Sequence, residues 1–358
     1  MIHLVNYVIL YCIAKINHER TTASVYHLLR GKRSSQTIQD AKLYELSSYF
    51  GILKNLKRSD FEKIVEKLQE SGWIVSNHDN YASLTEDGYI YLQSHQKTFP
   101  VEWLNGMQLA SISELFWLRL QLTIQTYTNL VQGNNNFIPI TDDHTVQYWF
   151  KQHYYHSRTD VRESVDHLYK ELLTLLESLP TDYATLFVHR LSGYQKIGLS
   201  LYQLAQSSHL SVYDVSLLLT CVIHRFVTKV KVKSNDFPYL SMLIPPSEQH
   251  VTDVVTQSAQ KTKQWLEKGF SIDQIAQIRK LKRSTIEDHV IEIAYIDPSF
   301  SVESFLHHQA YTEILHGIKQ SKTTKLKDIK SLLHNQYSYF EIRLVFASVT
   351  DNNRSMIP

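Results

Sequence analysis

The sequence predicts a mainly α-helical protein with one small β-hairpin, arranged as three modules. Apolar residues recur at helical spacing over most of the 358 residues, and 10 glycines and 8 prolines leave few points at which helices must break. A chain of this length can form two or three domains, each with a core of its own. We predict domains at 1–102, 103–246 and 247–350, followed by a flexible tail at 351–358.

Net charge, cysteine count and the N-terminal apolar run indicate the cellular compartment in which the protein works. The formal net charge is +2, with weakly basic ends and a weakly acidic middle. Cys12 and Cys221 are the only cysteines, too few for a disulfide framework or a four-cysteine zinc site. The apolar run at 2–16 is interrupted by polar residues, so we interpret it as a buried helix rather than a signal or membrane segment. These features indicate a cytoplasmic protein without membrane contact.

The N-terminal module changes from helical to strand-like spacing near its end. Amphipathic helices are predicted near 2–16, 23–29 and 61–68. The last of them runs to Gly72, a residue type that commonly ends helices. Residues 73–76 and 81–85 then alternate as two short strands around a polar four-residue tip. A helix, a glycine and a hairpin in this order predict a winged helix whose wing is the hairpin, with a generic α+β cap as the alternative.

The middle module is predicted to be helical throughout. Long apolar periodicity indicates helices at 112–130, 161–178 and 181–191. Residues 201–205 and 210–215 then show the spacing of a helix-turn-helix, two short helices joined by a tight turn. Because this turn lacks lysine and arginine, we interpret the unit as structural or protein-binding. Aromatic residues of the module are the predicted anchors for a protein partner: Trp117, Tyr127, Trp149, Tyr154 and Tyr155.

The most complete helix-turn-helix pattern lies in the C-terminal module, at 270–293. Ser271 is the predicted N-cap, Ala276 is small where the two helices cross, and Leu281 fills the turn. The second helix has a buried stripe formed by Ile286, Val290 and Ile293. Further helices are predicted at 302–306, 311–318 and 337–349, the last of which closes the domain.

Polar residues on the outer face of this pattern are candidate DNA contacts. In a DNA-bound helix-turn-helix, the turn and the first residues of the second helix meet phosphates and base edges. The candidates are Lys280, Lys282, Arg283, Ser284, Thr285 and His289. Lys280 stands where a turn glycine is commoner, and Glu287 and Asp288 add negative charge to the second helix. A helical pair used only for packing is the alternative.

Both ends of the chain resemble parts of known helicases. Residues 28–74 resemble the RecQ-C-terminal winged helix of RecQ-family helicases, and about 251–349 resemble the helix-turn-helix domain at the C-terminus of many helicases. The shared pieces of the first are Leu29-Arg30-Gly31, Gln36 and Ile38, Phe50-Gly51, the long helix ending in Gly72, and Leu84-Thr85 with Gly88. Without motor domains, the two modules together resemble the YpbB type of bacterial protein, a stand-alone companion of a RecQ-type helicase.

The resemblance implies where the N-terminal module contacts DNA. In that family the Leu-Arg-Gly loop precedes a helix and binds duplex phosphates, and helix N-termini and nearby cations together stabilise anions. The implied contacts are Arg30, Lys32, Arg33, Ser34, Ser35 and Gln36. The alternative for Arg30 is an ion pair with a carboxylate such as Asp40. The family's wing separates strands with a residue at its tip, which here is His78; a plain surface histidine is equally open.

Motifs for catalysis and for metal binding are missing from the sequence. The only Gly-Lys pair with a serine within the next three residues is Gly31-Lys32, and Tyr26 stands where a phosphate-binding loop needs its first glycine, so no ATP-driven motor is expected. The histidine pairs 153/156 and 307/308 have no carboxylate at ligand spacing. Acidic residues do not cluster as a two-metal nuclease requires. We therefore expect no enzymatic activity, no metal and no cofactor.

Three functions remain on these grounds. The first is a non-enzymatic accessory subunit that supplies duplex-binding modules in trans to a RecQ-type helicase lacking its own C-terminal winged helix. It would act on duplex or forked DNA in repair or recombination, in the cytoplasm and associated with the nucleoid. The second is a helix-turn-helix transcription regulator, which normally reads an operator as a symmetric dimer. The third is a protein-binding scaffold without DNA affinity.

Overall fold

The computed structural model describes residues 3–156, 160–246, 255–297, 299–321 and 323–349. These residues form eighteen α-helices and one two-stranded antiparallel sheet, which confirms the predicted mainly α-helical class. The predicted tail at 351–358 and the predicted boundary at 247 lie outside the described residues.

The helices and the two strands follow one another in three groups. The N-terminal group is α1 (Leu4–Ile16), α2 (Thr22–Arg30), α3 (Ser35–Leu43), α4 (Arg58–Glu70), β1 (Ile74–Ser76), β2 (Ala82–Leu84) and α5 (Glu86–His95). The middle group is α6 (Gly106–Val131), α7 (His144–His156), α8 (Val161–Leu176), α9 (Thr181–Val188), α10 (Leu201–Ser208), α11 (Val212–Val232) and α12 (Pro238–Leu243). The C-terminal group is α13 (Gln257–Glu267), α14 (Ile272–Arg279), α15 (Arg283–Ile296), α16 (His308–Gln320), α17 (Leu326–Leu332) and α18 (Tyr339–Ser348).

The predicted winged helix forms from α4 and the hairpin. Gly72 ends the helix at φ +73°, a left-handed conformation that glycine adopts without strain. The strands pair with Ile74 opposite Leu84, and both residues are buried. At the tip, the side-chain oxygen of Asn77 accepts the backbone N–H groups of residues 79 and 81 at 3.1 and 2.9 Å. This local bonding closes a wing with only three paired residues on each strand.

The middle group surrounds two long helices, α6 and α11. The second helix-turn-helix spacing is formed by α10 and α11, which begin at the capping boxes of Ser200 and Ser211, with His209 at φ +56° between them. Across the described residues no single helix combines the length and apolar character needed to span a membrane. The bent pair α10 and α11, at 103° to each other, meets a length and composition criterion only when both are taken together.

The C-terminal helix-turn-helix forms as the local pattern predicts. Ser271 closes a capping box with Gln274, and Lys280 adopts φ +52° at the turn position where glycine is commoner. The predicted helix at 302–306 is wrong, because the structure has only a turn there, held by the bond from the Phe305 N–H to the Val302 carbonyl. Five residues are too few to offset the cost of nucleating a helix.

The three groups pack against one another around one continuous hydrophobic core. Asp214 at the start of α11 is fully buried and accepts the Val5 N–H at 2.9 Å and the His3 Nδ1 at 2.6 Å. This carboxylate therefore caps the first turn of α1 from the middle group. Helix α15 packs along α3 and α18, so the C-terminal helix-turn-helix contacts the N-terminal group directly.

Candidate nucleic-acid interface

The loop between α2 and α3 is shaped by two glycines in contact. Gly31 lies at φ +68°, and a Cβ there would come within 2.7 Å of the Gly51 Cα. The Gly51 N–H donates to the Leu28 carbonyl at 2.9 Å, which ties the two segments together. The Leu-Arg-Gly and Phe-Gly pieces of the resemblance are therefore one structural feature, a close backbone contact that presents residues 32–34 at the surface.

Cations gather around this loop. Lys32 and Arg33 are exposed, and within the described residues neither side chain has a hydrogen bond or an ion pair. Burial lowers the pKa of His27, and the cations Lys32, Arg58 and Arg30 lower it further. Arg58 is itself paired with Glu62 at 2.8 Å, so Arg30 and Lys32 supply most of the positive charge at this point of the surface, a setting that favours a phosphate.

Arg30 is held in place by neutral groups rather than by a carboxylate. Its guanidinium donates to the Lys54 carbonyl at 3.0 Å and to the Tyr26 hydroxyl at 3.1 Å. Asp40, the alternative partner, pairs instead with Arg20 at 3.1 Å. The Arg30 charge is therefore oriented without being neutralised, and the alternative of an Arg30–Asp40 pair is wrong.

Three other residues implied by the resemblance have partners inside the protein. Ser34 caps α3 by accepting the Thr37 N–H at 3.3 Å, and the Gln36 amide donates to Asp40 at 2.8 Å. Ser35 donates to the backbone carbonyl of Asp288, on α15, at 3.2 Å. At the wing, His78 is exposed at the tip of the hairpin. The structure thus leaves Lys32, Arg33 and His78 exposed, partly buries the two serines, and holds the exposed Gln36 by its bond to Asp40.

The C-terminal candidates also divide into exposed and engaged groups. Lys280, Lys282 and Ser284 are exposed, while Thr285 is half-buried. The Arg283 guanidinium binds Asp273 at 2.5 and 2.6 Å and Glu287 at 2.9 Å. The hydrogen bond to Asp273, and to a smaller extent that to Glu287, raises the pKa of Arg283. The two carboxylates also offset the positive charge of the guanidinium. Lys280 and Lys282 therefore supply most of the positive charge at this turn.

His289 does not lie on the outer face that the sequence pattern predicts. Its side chain is 7% exposed, and its Nδ1 lies 2.9 Å from the Thr262 hydroxyl on α13. Burial, and then the nearby Arg279, lower its pKa to about 4, so the ring is neutral. A direct DNA contact by His289 is excluded in this arrangement, because α13 covers that face of α15.

The middle of α15 also faces another part of the protein. The Asp288 carboxylate binds Arg343 at 2.6 Å, and Glu292 is buried beside Ser35 and Thr256. Within the described residues of the helix-turn-helix, the exposed basic residues lie in the turn and at the start of α15.

Comparison with known proteins agrees with this arrangement of modules. The model of the RQC domain matches residues 7–102, and that of a helix-turn-helix domain matches residues 258–346. Protein YpbB of Bacillus subtilis (strain 168) is 33% identical over 340 residues, which cover 94% of this chain and 95% of that protein. The chain belongs to the YpbB family. No solved structure matches it.

Family membership defines the general character of the chain. RQC and helix-turn-helix domains are non-catalytic DNA-binding modules, and this chain joins one of each. The described residues contain no group of three or more His, Cys, Asp or Glu side chains placed to hold a metal ion.

One member of the basic surface escaped the sequence pattern. Arg58 begins α4, 28 residues after Arg30 in the sequence, yet its charge acts on His27 together with Arg30 and Lys32. The dipeptide Lys57-Arg58 ahead of a predicted helix is the signal that could have identified it.

Proposed function

We propose that this protein is a non-enzymatic DNA-binding subunit that supplies its winged helix and helix-turn-helix in trans to a RecQ-type helicase lacking its own C-terminal winged helix. Its role would lie in DNA repair or recombination, on duplex or forked DNA. The observation that carries the proposal is the loop at residues 31–34, where Lys32 and Arg33 are exposed and have no partner within the described part of the chain, beside the oriented guanidinium of Arg30.

The chemistry of this loop favours phosphates over bases. Lysine and arginine that neutralise phosphates bind duplex DNA without regard to sequence, and the affinity falls steeply with salt. A helicase subunit needs such binding, because it must act wherever a fork arises. A transcription regulator instead needs base contacts. In the described part of the C-terminal helix-turn-helix, which a family model matches, the exposed cations of the turn are Lys280 and Lys282.

The DNA-binding part of the proposal is tested by removing both loop cations. Lys32→Ala with Arg33→Ala should weaken binding to all duplex sequences alike. It should also reduce the slope of log affinity against log salt by about two units, one for each phosphate contact. The measurement is fluorescence anisotropy of labelled duplexes in a salt titration. Lys231→Ala with Lys233→Ala, which removes two exposed cations at the end of α11, is the matched control.

The accessory role is tested with the partner present. The purified protein should hydrolyse no ATP and unwind no DNA alone, whereas it should raise the unwinding rate of a RecQ-type helicase that lacks the winged helix. A pull-down from the native cell identifies the partner. High affinity for one palindromic sequence would instead establish a regulator.

An apolar groove in the middle group is our candidate for the helicase contact. It has a volume of about 280 Å³ and lies among α6, α8 and α9. Tyr169, Leu173 and Val188 line it and are exposed. Of the predicted aromatic anchors, Tyr127 is buried in the wall of the groove, Trp117 packs on Phe187, and Trp149 stacks on His153. Tyr154 stacks on Phe150, and the side chain of Tyr155 lies outside the described residues.

A scaffold without DNA affinity is the second candidate, and one observation favours it. The middle of α15, which reads the groove in a DNA-bound helix-turn-helix, here packs on α3 and α18. A scaffold would show no salt-dependent duplex binding in the anisotropy titration, whereas the accessory subunit would.

A further inference from the structure

The two DNA-binding modules are joined side by side through α3 and α15. The hydroxyl of Ser35, the first residue of α3, donates to the Asp288 carbonyl of α15 at 3.2 Å, and α15 packs along α3. Ile38 and Ala41 on α3 and Ile291 on α15 are fully buried in the continuous hydrophobic core. Because a polar bond and a shared close-packed core both cross this junction, the two modules have a fixed geometry relative to each other.

Exposed cations of both modules lie near this junction. Arg33 is two positions before Ser35, which is about 7 Å of chain at full extension. Lys282 is six positions before Asp288 along α15, or about 9 Å at helical rise. With the 3.2 Å hydrogen bond between them, the backbones of Arg33 and Lys282 are no more than about 25 Å apart. One turn of duplex DNA is about 34 Å long, so this separation fits within a single turn.

The carboxylates of α15 beside the junction are already occupied or buried. Asp288 binds Arg343 at 2.6 Å, and Glu287 binds Arg283 at 2.9 Å. Glu292 is almost fully buried, and burial raises the pKa of its carboxyl. These cations and this burial offset the negative charge that α15 would otherwise present to DNA.

The same packing changes what α15 can contact on DNA. The second helix of a DNA-bound helix-turn-helix lies in the major groove, which is about 12 Å wide. Here α15 packs against α3, α13 and α18, so it cannot lie along the groove. Lys280, Lys282 and Ser284 are exposed in the turn and at the start of α15, and side chains of these types commonly bind phosphates.

We propose that the loop at residues 31–34 and the turn at residues 280–284 form one composite surface, which holds a single duplex segment by its phosphates within one helical turn. This inference rests on the proposed function of the loop. At a fork, one duplex arm then lies on both modules, and the two modules do not hold separate arms. Contacts to phosphates alone give no preference for sequence.

Stoichiometry with a short duplex tests the composite surface. A duplex of about 12 base pairs is about 40 Å long, which is enough to contact both groups of cations. We expect each molecule of the full-length protein to bind one such duplex, as measured by analytical ultracentrifugation at saturating DNA. Two duplexes per molecule would mean that each module holds its own DNA, and the composite surface would be refuted.

Salt titrations with the same duplex show whether both groups of cations contribute. Lys32→Ala with Arg33→Ala, and Lys280→Ala with Lys282→Ala, should each reduce the slope of log affinity against log salt by about two units. The variant with all four substitutions should lose about four units, because both pairs contact one duplex. If each module held its own duplex, either pair would halve the number of sites and leave the slope of the remaining site unchanged.

The outcomes separate this inference from the proposed function. The matched control, Lys231→Ala with Lys233→Ala, should leave the slope unchanged, and circular dichroism checks that each variant keeps its helices. If two duplexes bind per molecule, or if only the loop pair has an effect, the composite surface is refuted and the proposed function stands. If the loop pair changes neither the slope nor the number of duplexes bound, or if the protein binds no duplex, the proposed function falls and the composite surface falls with it.

Discussion

Replacing Gly31 with alanine tests whether the loop at residues 31–34 is shaped by backbone contact. Alanine at φ +68° adopts a left-handed conformation that costs about 1–2 kcal/mol. Its Cβ would also lie 2.7 Å from the Gly51 Cα, an overlap that the backbone must relieve at a further cost of about 1–3 kcal/mol. The free energy of unfolding should therefore fall by about 2–5 kcal/mol. Duplex affinity should fall as well, because the cations of residues 32 and 33 move with the loop.

Gly133 provides a control with the same backbone strain and no neighbour. It also lies at φ +68°, and a Cβ there would meet nothing within 4 Å. Gly133→Ala should therefore lower the free energy of unfolding only by the cost of the left-handed backbone conformation, about 1–2 kcal/mol. Urea titrations followed by circular dichroism compare the two variants. Equal losses for Gly31→Ala and Gly133→Ala would refute the argument that contact with Gly51 shapes the loop.

Three further predictions concern the other groups of the protein. Lys280→Glu with Lys282→Glu should reduce duplex affinity at least tenfold while the helical circular dichroism is retained, because both side chains are exposed. The pKa of His289 is about 4 instead of 6.5, so below pH 6.5 the unfolded chain binds a proton that the folded ring does not, and the free energy of unfolding should fall by about 3 kcal/mol between pH 6.5 and pH 4. His289→Gln should remove that part of the pH dependence in urea titrations. Tyr169→Ser with Leu173→Ser should weaken co-elution with the partner helicase, because both line the exposed apolar groove.

Each of these predictions has a result that would contradict it. If Lys280→Glu with Lys282→Glu leaves the duplex affinity unchanged, the turn of the C-terminal helix-turn-helix does not contribute to DNA binding. A pH profile of stability that is identical in His289→Gln and wild type would mean that His289 is not the group responsible. Tyr202→Ser changes an exposed aromatic residue of the middle group outside the groove. If this control weakens co-elution as much as the groove variant does, the groove is not the contact.

The sequence by itself determined the elements that depend on neighbouring residues. Ser271 with Gln274 forms a capping box, Lys280 ends the first helix of the motif, and the stripe through Ile286 is buried. These features are visible in the sequence because the cap joins residues three positions apart and the apolar stripe, from Ile286 to Ile293, spans seven. The same reasoning explains why the winged helix was predictable from a helix, Gly72 and a period-two hairpin. The helix predicted at 302–306 failed because five residues carry too little local preference.

Only the tertiary structure decided which polar residues face solvent. His289 and Ser35 are predicted as surface residues from the sequence, yet His289 is buried beneath α13 and Ser35 donates a hydrogen bond to α15. A polar side chain on a helix leaves the same sequence pattern whether water, DNA or another polar group covers it. Ser35 and Asp288 are 253 residues apart, and their hydrogen bond has no local signature. The contact between the two DNA-binding modules therefore follows from how the whole chain packs, because long-range polar pairing is set by shape and burial rather than by periodicity.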